Sequence, residues 1–198
     1  MFSPSIDNLI RALKNLPSVG QRTAERFVFY WLKSGKKEVN DLREALDNLL
    51  KNIKSCEICW NFGDSNPCPI CQDQRRNAAI VAIVEDPQDI PVIEQTGEFK
   101  GRYHVLRGLL DSGDEESFNK IKIKELRTRL QTDKNIKEII LSLNPNLNGE
   151  MTMLYLEKEI KKNRPDIKIS RLARGLPMGA DLQYADEITL GSAIKNRK

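Results

Sequence analysis

The sequence has 198 residues, of which 39% are hydrophobic and 30% are charged, and its net charge is +4. This composition is typical of a folded globular protein and argues against a disordered chain. No apolar run approaches the roughly 20 residues of a membrane-spanning helix, and the N-terminus lacks the apolar core of a signal peptide, so we expect a cytoplasmic protein. The modest positive charge permits nucleic-acid binding without requiring it.

The first quarter of the chain predicts a small helical domain. Apolar residues recur at intervals of three or four in three stretches, residues 5–16, 21–34 and 38–53. This spacing forms one apolar stripe along an amphipathic helix. Pro17 is expected to end the first helix and Gly35 the second, since proline and glycine both interrupt helical geometry.

The turn between the first two predicted helices, Leu16-Pro17-Ser18-Val19-Gly20, resembles a helix-hairpin-helix motif. In that motif a glycine-bearing turn exposes backbone N–H groups beside a helix N-terminus, and these groups hold a DNA phosphate without reading the base sequence. Arg22 and Arg26 lie four residues apart on the following helix and are candidates for further phosphate contacts. Ser18 stands where the motif usually has glycine, and an ordinary helical hairpin is the alternative interpretation.

All four cysteines lie in one short segment, as two C-x-x-C pairs separated by eight residues: Cys56 and Cys59, then Cys68 and Cys71. Four thiolates are the ligand set of a structural Zn²⁺ ion, whose closed coordination leaves no position for chemistry. The spacing therefore predicts one structural zinc ion. Free thiols, a redox pair and an iron–sulfur cluster are the alternatives, although the spacing is not that of a ferredoxin.

Beyond the cysteines the pattern alternates between short buried strands and amphipathic helices. Strands are predicted at residues 78–84, 102–106, 138–143 and 167–172, and helices at 88–96, 122–131 and 149–163. This alternation indicates βαβ units on a mostly parallel sheet, so the predicted fold class is α/β. His104, the only histidine, falls on a predicted strand and is expected to be structural rather than catalytic.

The α/β region resembles a Toprim domain, the sheet shared by topoisomerases and bacterial primases. Catalytic Toprim proteins hold Mg²⁺ with a glutamate after the first strand and two aspartates after a later strand. Glu85 matches the glutamate, whereas Asn144 and Asn146 stand at the aspartate positions. Each replacement removes a negative charge, so the resemblance implies a Toprim fold without metal-dependent catalysis. The alternative is a Toprim enzyme, such as a small nuclease, a primase fragment or a topoisomerase-like protein.

The most distinctive stretch is RGLPMGADLQYADEITL at residues 174–190, which includes the acids Asp186 and Glu187. Its two glycines and proline indicate only an ordered turn. Together with the cysteine pairs and the Asn-Pro form of the Toprim motif, however, this stretch resembles the RecR family of bacterial recombination mediators. In that family the tail is a Walker B-like element that contacts a neighbouring subunit. The sequence has no Walker A P-loop, so ATP binding is not expected.

The resemblance spans essentially the whole chain and divides it into four parts: a helix-hairpin-helix domain (1–53), a four-cysteine zinc finger (54–76), a Toprim domain (77–173) and a tail (174–198). It implies a dimer or tetramer ring that can surround duplex or gapped DNA without sequence preference. It also implies a non-catalytic role in recombinational repair, in which RecO, and RecF where present, help to load RecA at single-strand gaps. The alternative is a protein-interaction module with the zinc finger as its recognition surface.

Overall fold

A computed structural model describes residues 2–114 and 116–197. The chain divides into two compact units, one ending at Ile53 and the other beginning at Lys54. The first unit is helical. The second combines the cysteine-rich segment with an α/β sheet.

The helical unit contains the three predicted helices, α1 (Pro4–Lys14), α2 (Gln21–Ser34) and α3 (Lys36–Asn52). Its buried core is small and consists of Ile10, Ala24 and Val28, which come from α1 and α2. No residue of α3, which is described throughout, is buried. The apolar stripe that predicted α3 is therefore left without a covering element in the described part of this unit.

The cysteine-rich segment folds into a short antiparallel hairpin followed by a single helical turn. The hairpin pairs β1 (Lys54–Ser55) with β2 (Phe62–Gly63), and α4 (Pro69–Gln72) follows. Elements this short cannot bury enough apolar surface to be stable alone. Other interactions must therefore hold the segment together.

Four parallel strands form the sheet of the second unit, in the order β4-β3-β5-β6. The strands are β3 (Ile80–Val84), β4 (Arg102–Val105), β5 (Glu138–Ser142) and β6 (Lys168–Arg171). The helices are α5 (Asp89–Gln95), α6 (Ser117–Lys120), α7 (Ile123–Thr132) and α8 (Leu147–Asn163). The predicted α/β class with a parallel sheet is confirmed, while α6 was not predicted from the sequence.

The alternation of side chains along β3 builds a core on each face of the sheet. Val81 and Ile83 pack into the larger cluster with residues of α7 and α8. Ala82 and Val84 pack into the smaller cluster with Ile90 of α5. Both faces are covered, as is expected for parallel strands that read as continuous apolar runs.

The tail contains a 3-10 turn (Leu182–Tyr184) and a final helix, α9 (Glu187–Lys195), and neither has a buried residue. Several apolar side chains of the tail are exposed, and Tyr184 is 86% exposed. In the part of the chain that the structure describes, no helix combines the length and the apolar character that crossing a bilayer requires.

Candidate zinc site and nucleic-acid interface

The four cysteines converge on one point. Their Sγ atoms all lie within 4.8 Å of one another, and those of Cys59 and Cys68 are 3.5 Å apart. All four side chains are buried, and none forms a disulfide. Tetrahedral zinc with Zn–S bonds of about 2.3 Å places its sulfur atoms roughly 3.8 Å apart. The observed cluster therefore fits one zinc ion with only a small adjustment.

Local backbone geometry aims the two cysteine pairs at each other. The first pair lies on the turn of the β1–β2 hairpin, where the Cys56 N–H donates to the Asn61 carbonyl at 2.9 Å. The second pair flanks the start of α4, where the Cys71 N–H donates to the Cys68 carbonyl at 3.0 Å. The Cys68 N–H also donates to Cys56 Sγ at 3.4 Å, which links the two pairs directly.

Hydrogen bonds among the sulfur atoms concentrate negative charge on one of them. The pKa of Cys68 is lowered, because Cys59 and Cys71 donate to its sulfur. The hydrogen bond to Cys68 raises the pKa of Cys59, and hydrogen bonds to Cys59 and Cys68 raise the pKa of Cys71. Zinc binding needs four thiolates, so it would release the remaining protons.

The cysteine-rich segment is anchored to β4 and to the residues that follow it. The Val105 N–H donates to the Cys59 carbonyl at 2.8 Å. The Arg107 guanidinium donates to the Trp60 carbonyl at 2.9 Å and to Ser55 Oγ at 2.7 Å. The cysteine cluster is therefore held firmly against the sheet. Sequence reasoning missed Arg107, because no spacing rule connects it with the distant cysteine-rich segment.

The turn between α1 and α2 keeps a special backbone geometry at Ser18. Ser18 has a φ of 63°, in the left-handed region that glycine favours. A non-glycine residue in that region is destabilised by about 1–2 kcal/mol. Gly20, in contrast, is extended, with a φ of −84°, and it is the N-cap residue of α2.

The N-terminus of α2 is suited to binding an anion. No side chain among the described residues caps it, and its first turn contains no acidic residue. Its first N–H groups therefore have no partner within the helix and carry the positive end of the helix dipole. Arg22 and Arg26, the two predicted DNA-binding residues, are both exposed beside this end.

The structure brings together two of the three residues at the altered Toprim site. Asn144 Nδ2 donates to Glu85 Oε2 at 3.1 Å, where β5 and β3 end. The glutamate thus faces an amide N–H group. In a catalytic Toprim site it would face an aspartate carboxylate, with a metal ion between the two. Asn146 is engaged elsewhere, because its Oδ1 accepts the Gly149 N–H at 2.8 Å and caps α8.

The environment of Glu85 disfavours accumulation of further negative charge. Burial raises the pKa of Glu85, with additional contributions from the carboxylates of Asp86 and Asp89, while the hydrogen bond from Asn144 opposes the rise. Nearby, Glu150 on α8 forms ion pairs with Arg171 and with Arg174. Sequence reasoning missed this ion pairing, since no spacing rule links α8 to β6.

His104 is completely buried on β4. Its Nε2–H donates to the Lys122 carbonyl at 2.9 Å. Burial, together with the charge of Arg129, lowers the pKa of His104 to about 3. The imidazole is therefore neutral and out of contact with solvent, which fits a structural role.

The two acids of the tail lie at the start of α9. Asp186 is the N-cap residue, and its carboxylate accepts the Thr189 N–H at 2.9 Å and the Thr189 hydroxyl at 2.7 Å. These bonds lower the pKa of Asp186. Glu187 is in the first turn, where a negative charge complements the helix dipole. In this chain both acids thus stabilise the start of a helix.

Family models match consecutive parts of the chain. They describe a RecR helix-hairpin-helix (6–50), a RecR zinc finger domain with four cysteine ligands (53–73), a Toprim domain (79–173) and a RecR C-terminal region (175–198). The fold and the cysteine cluster agree with this order. They define a protein with a helix-hairpin-helix, a structural zinc finger and a Toprim domain. The predicted structural zinc ion is confirmed by the match and by the four clustered thiols.

Full-length relatives identify the family. Recombination protein RecR of Bifidobacterium adolescentis is 41% identical over 197 residues, covering 100% of this chain and 97% of that protein. Recombination protein RecR of Saccharopolyspora erythraea is 39% identical over 198 residues, covering 100% of this chain and 99% of that protein. Recombination protein RecR of Tropheryma whipplei (strain Twist) is also 39% identical, with 98% of that protein covered. The chain belongs to the RecR family, and the predicted resemblance is confirmed.

Proposed function

We propose that this chain is a non-catalytic DNA-binding scaffold for recombinational repair. The observation that carries the proposal is the N-terminus of α2, where backbone N–H groups that no described side chain caps lie beside the exposed Arg22 and Arg26. This arrangement suits a phosphate of the DNA backbone, and it offers no means of reading base edges. Binding is therefore sequence-nonspecific and sensitive to salt.

The Toprim site supports the non-catalytic part of the proposal. Metal-assisted phosphoryl transfer needs several carboxylates to bind Mg²⁺ and to organise it. Here Glu85 is hydrogen-bonded to the amide of Asn144, and the Asn146 side chain caps a helix. The sheet then serves as a rigid support rather than as an active site.

Replacing both Arg22 and Arg26 with alanine is expected to weaken DNA binding. Each arginine that contacts a phosphate contributes about 0.9 to the slope of log K against log salt concentration, so the slope should fall by about 2. Fluorescence anisotropy with a gapped duplex over a salt series measures both quantities. The same reactions with Mg²⁺ should return the DNA intact.

A matched control replaces Arg11 and Arg43, which removes the same charge from exposed positions on α1 and α3. We expect a smaller loss of affinity for this control. A wild-type salt slope in the Arg22/Arg26 variant would contradict the assigned interface and favour a protein-interaction module. Cleavage or synthesis of DNA that is lost in Glu85→Gln would establish a Toprim enzyme instead.

We also propose that the scaffold is a dimer or a tetramer ring, with α3 in a contact between copies. The exposed apolar residues of α3 and its C-cap alternate at intervals of three and four: Val39, Leu42, Leu46, Leu49 and Ile53. This is the heptad spacing of a seam between two helices. The exposed apolar residues of the tail offer a second contact of the same kind.

Replacing Leu46 with aspartate is expected to dissociate this contact. Leu46 is 52% exposed in the single chain, so covering the rest of its surface contributes about 1 kcal/mol, and placing an aspartate there costs at least about 1 kcal/mol more. A symmetric contact contains Leu46 from both copies, so about 4 kcal/mol is lost and the dimer dissociates about a thousandfold more readily. Multi-angle light scattering over a dilution series measures the change. Lys51→Asp, on the polar face of α3, should leave the mass unchanged, and equal masses for both variants would refute the contact.

The partners and the location complete the proposal. We propose that the scaffold acts in the cytoplasm with RecO, and with RecF where it is present, to promote RecA loading at single-strand gaps. The support is membership of the RecR family over the whole chain. The zinc finger (54–76) would then reinforce the Toprim domain (77–173), while residues 1–53 and 174–198 supply the contacts to DNA and to other copies.

A further inference from the structure

A cleft beside the zinc finger contains two arginines that lack an acidic partner. Its walls come from β4, from α7 and from the turn that carries Trp60, and its volume is about 630 Å³. Arg102 of β4 and Arg129 of α7 both line it. Neither forms an ion pair with any described residue. Each guanidinium therefore brings a positive charge to the cleft without direct contact with a carboxylate of the described residues.

The hydrogen bonds of these arginines are incomplete. Arg129 is only 9% exposed, and its Nη1 donates to the Tyr103 carbonyl at 2.7 Å. The Nε atoms of Arg102 and Arg129 are enclosed without a partner among the described residues. Since buried polar groups are normally hydrogen-bonded, these two unsatisfied donors on the same cleft indicate a missing ligand.

The acids of the cleft are engaged with other groups. Three carboxylates line the cleft, and each accepts a hydrogen bond from elsewhere: Glu57 from Asn66, Glu125 from Lys122 and Asp133 from Asn135. Burial lowers the pKa of Arg129, while the charges of Cys71, Cys59 and Asp133 oppose this change and the charge of Arg102 adds to it. A buried guanidinium is stabilised by an anion that accepts hydrogen bonds from it. An anion between the two arginines would therefore offset the burial of Arg129 and the repulsion between the two guanidinium groups.

We infer that this cleft binds a phosphate group between Arg102 and Arg129. The planar guanidinium fork matches the oxygens of a phosphate, and its charge-assisted hydrogen bonds are strong. Lys124 and Thr128 also line the cleft and can add a charge and a hydroxyl donor. Because the cleft is open, the phosphate of a nucleic-acid strand is the favoured source. That choice of source rests on the proposed DNA binding, whereas the phosphate site itself does not.

Arg102→Gln tests the site in the full, zinc-loaded chain. Inorganic phosphate, compared with chloride at equal ionic strength, is expected to raise the unfolding temperature of the wild type. The variant should bind phosphate at least about tenfold more weakly. For DNA binding, the slope of log K against log salt concentration should fall by about 1. Arg129→Lys, which keeps the charge but loses the fork, should also weaken phosphate binding. Arg127→Gln is the control, since Arg127 is on the same helix and pairs with Glu159.

Loss of both the phosphate response and the salt slope supports a strand phosphate. Loss of the phosphate response with an unchanged slope supports the same site with free phosphate as its ligand. An unchanged phosphate response in Arg102→Gln overturns the inference. An Arg102→Gln protein that loses zinc while its phosphate response is unchanged also overturns the inference. In that case the role of Arg102 would be to balance the charge of the zinc-binding thiolates and not to bind phosphate. None of these results depends on Arg22 and Arg26, whose own variant tests the proposed DNA interface.

Discussion

Replacing Cys68 with serine is expected to abolish zinc binding and to destabilise the α/β unit by on the order of 5 kcal/mol. Cys68 is central to the cluster, since its Sγ lies 3.5 Å from that of Cys59 and its N–H donates to Cys56 Sγ. A serine hydroxyl is a much weaker ligand for zinc than a thiolate. Besides the metal, the segment has only two strands of two residues, one helical turn and the hydrogen bonds from Val105 and Arg107, which are too few to replace four metal–sulfur bonds.

Metal analysis and thermal unfolding together measure this effect. The variant should contain no zinc and should unfold at a lower temperature, and wild-type protein treated with a chelator should behave in the same way. Adding zinc back should restore the wild type and leave Cys68→Ser unchanged, which separates the loss of a ligand from general damage. A zinc-free protein as stable as the zinc-bound one would show that the ion is not structural.

The second large effect is expected for Gly149→Ala. A Cβ at this position would lie 1.9 Å from the Asn144 carbonyl oxygen and 3.2 Å from Asn146 Oδ1. The carbonyl belongs to the backbone and cannot rotate away, so the start of α8 must move. That movement breaks the Asn146 cap and the hydrogen bond from Asn144 to Glu85. We expect a loss of about 3 kcal/mol in the free energy of unfolding, despite the better helix propensity of alanine.

Urea denaturation followed by circular dichroism measures this loss. Gly191→Ala is the matched control, because Gly191 lies within α9 and a Cβ there would meet no atom within 4 Å. The control should be neutral or more stable by up to about 1 kcal/mol. Equal stability of the two alanine variants would mean that the turn after β5 relaxes without breaking its hydrogen bonds.

The regular elements were predictable because their periods are local properties of the sequence. The 3.6-residue stripe of α3 and the apolar run Ala78–Val84 each indicate one element type, and the structure has α3 at Lys36–Asn52 and β3 at Ile80–Val84. Helix α6 was missed, since four residues are too few to show a period. The cysteine pairs were equally readable, because the ligands of a zinc finger lie close together in sequence.

The sites made by distant residues were not predictable in the same way. Arg102 and Arg129 meet only because β4 and α7 pack together, and no spacing in the sequence signals that contact. Asn144 and Asn146 look equivalent in sequence, yet the first faces Glu85 and the second caps a helix. Which role each takes depends on the turn that Gly149 permits, and that turn is a property of the folded backbone.

The anchoring of the cysteine-rich segment has a consequence for aggregation. β4 is one of the two edge strands of the sheet, and two of its outward backbone groups are occupied: the Val105 N–H by Cys59 and the Tyr103 carbonyl by Arg129. An uncovered edge strand is a template on which another chain can add a strand. Loss of zinc would therefore have two effects. The protein would be less stable, and the edge of its sheet at β4 would become exposed to pairing with another chain.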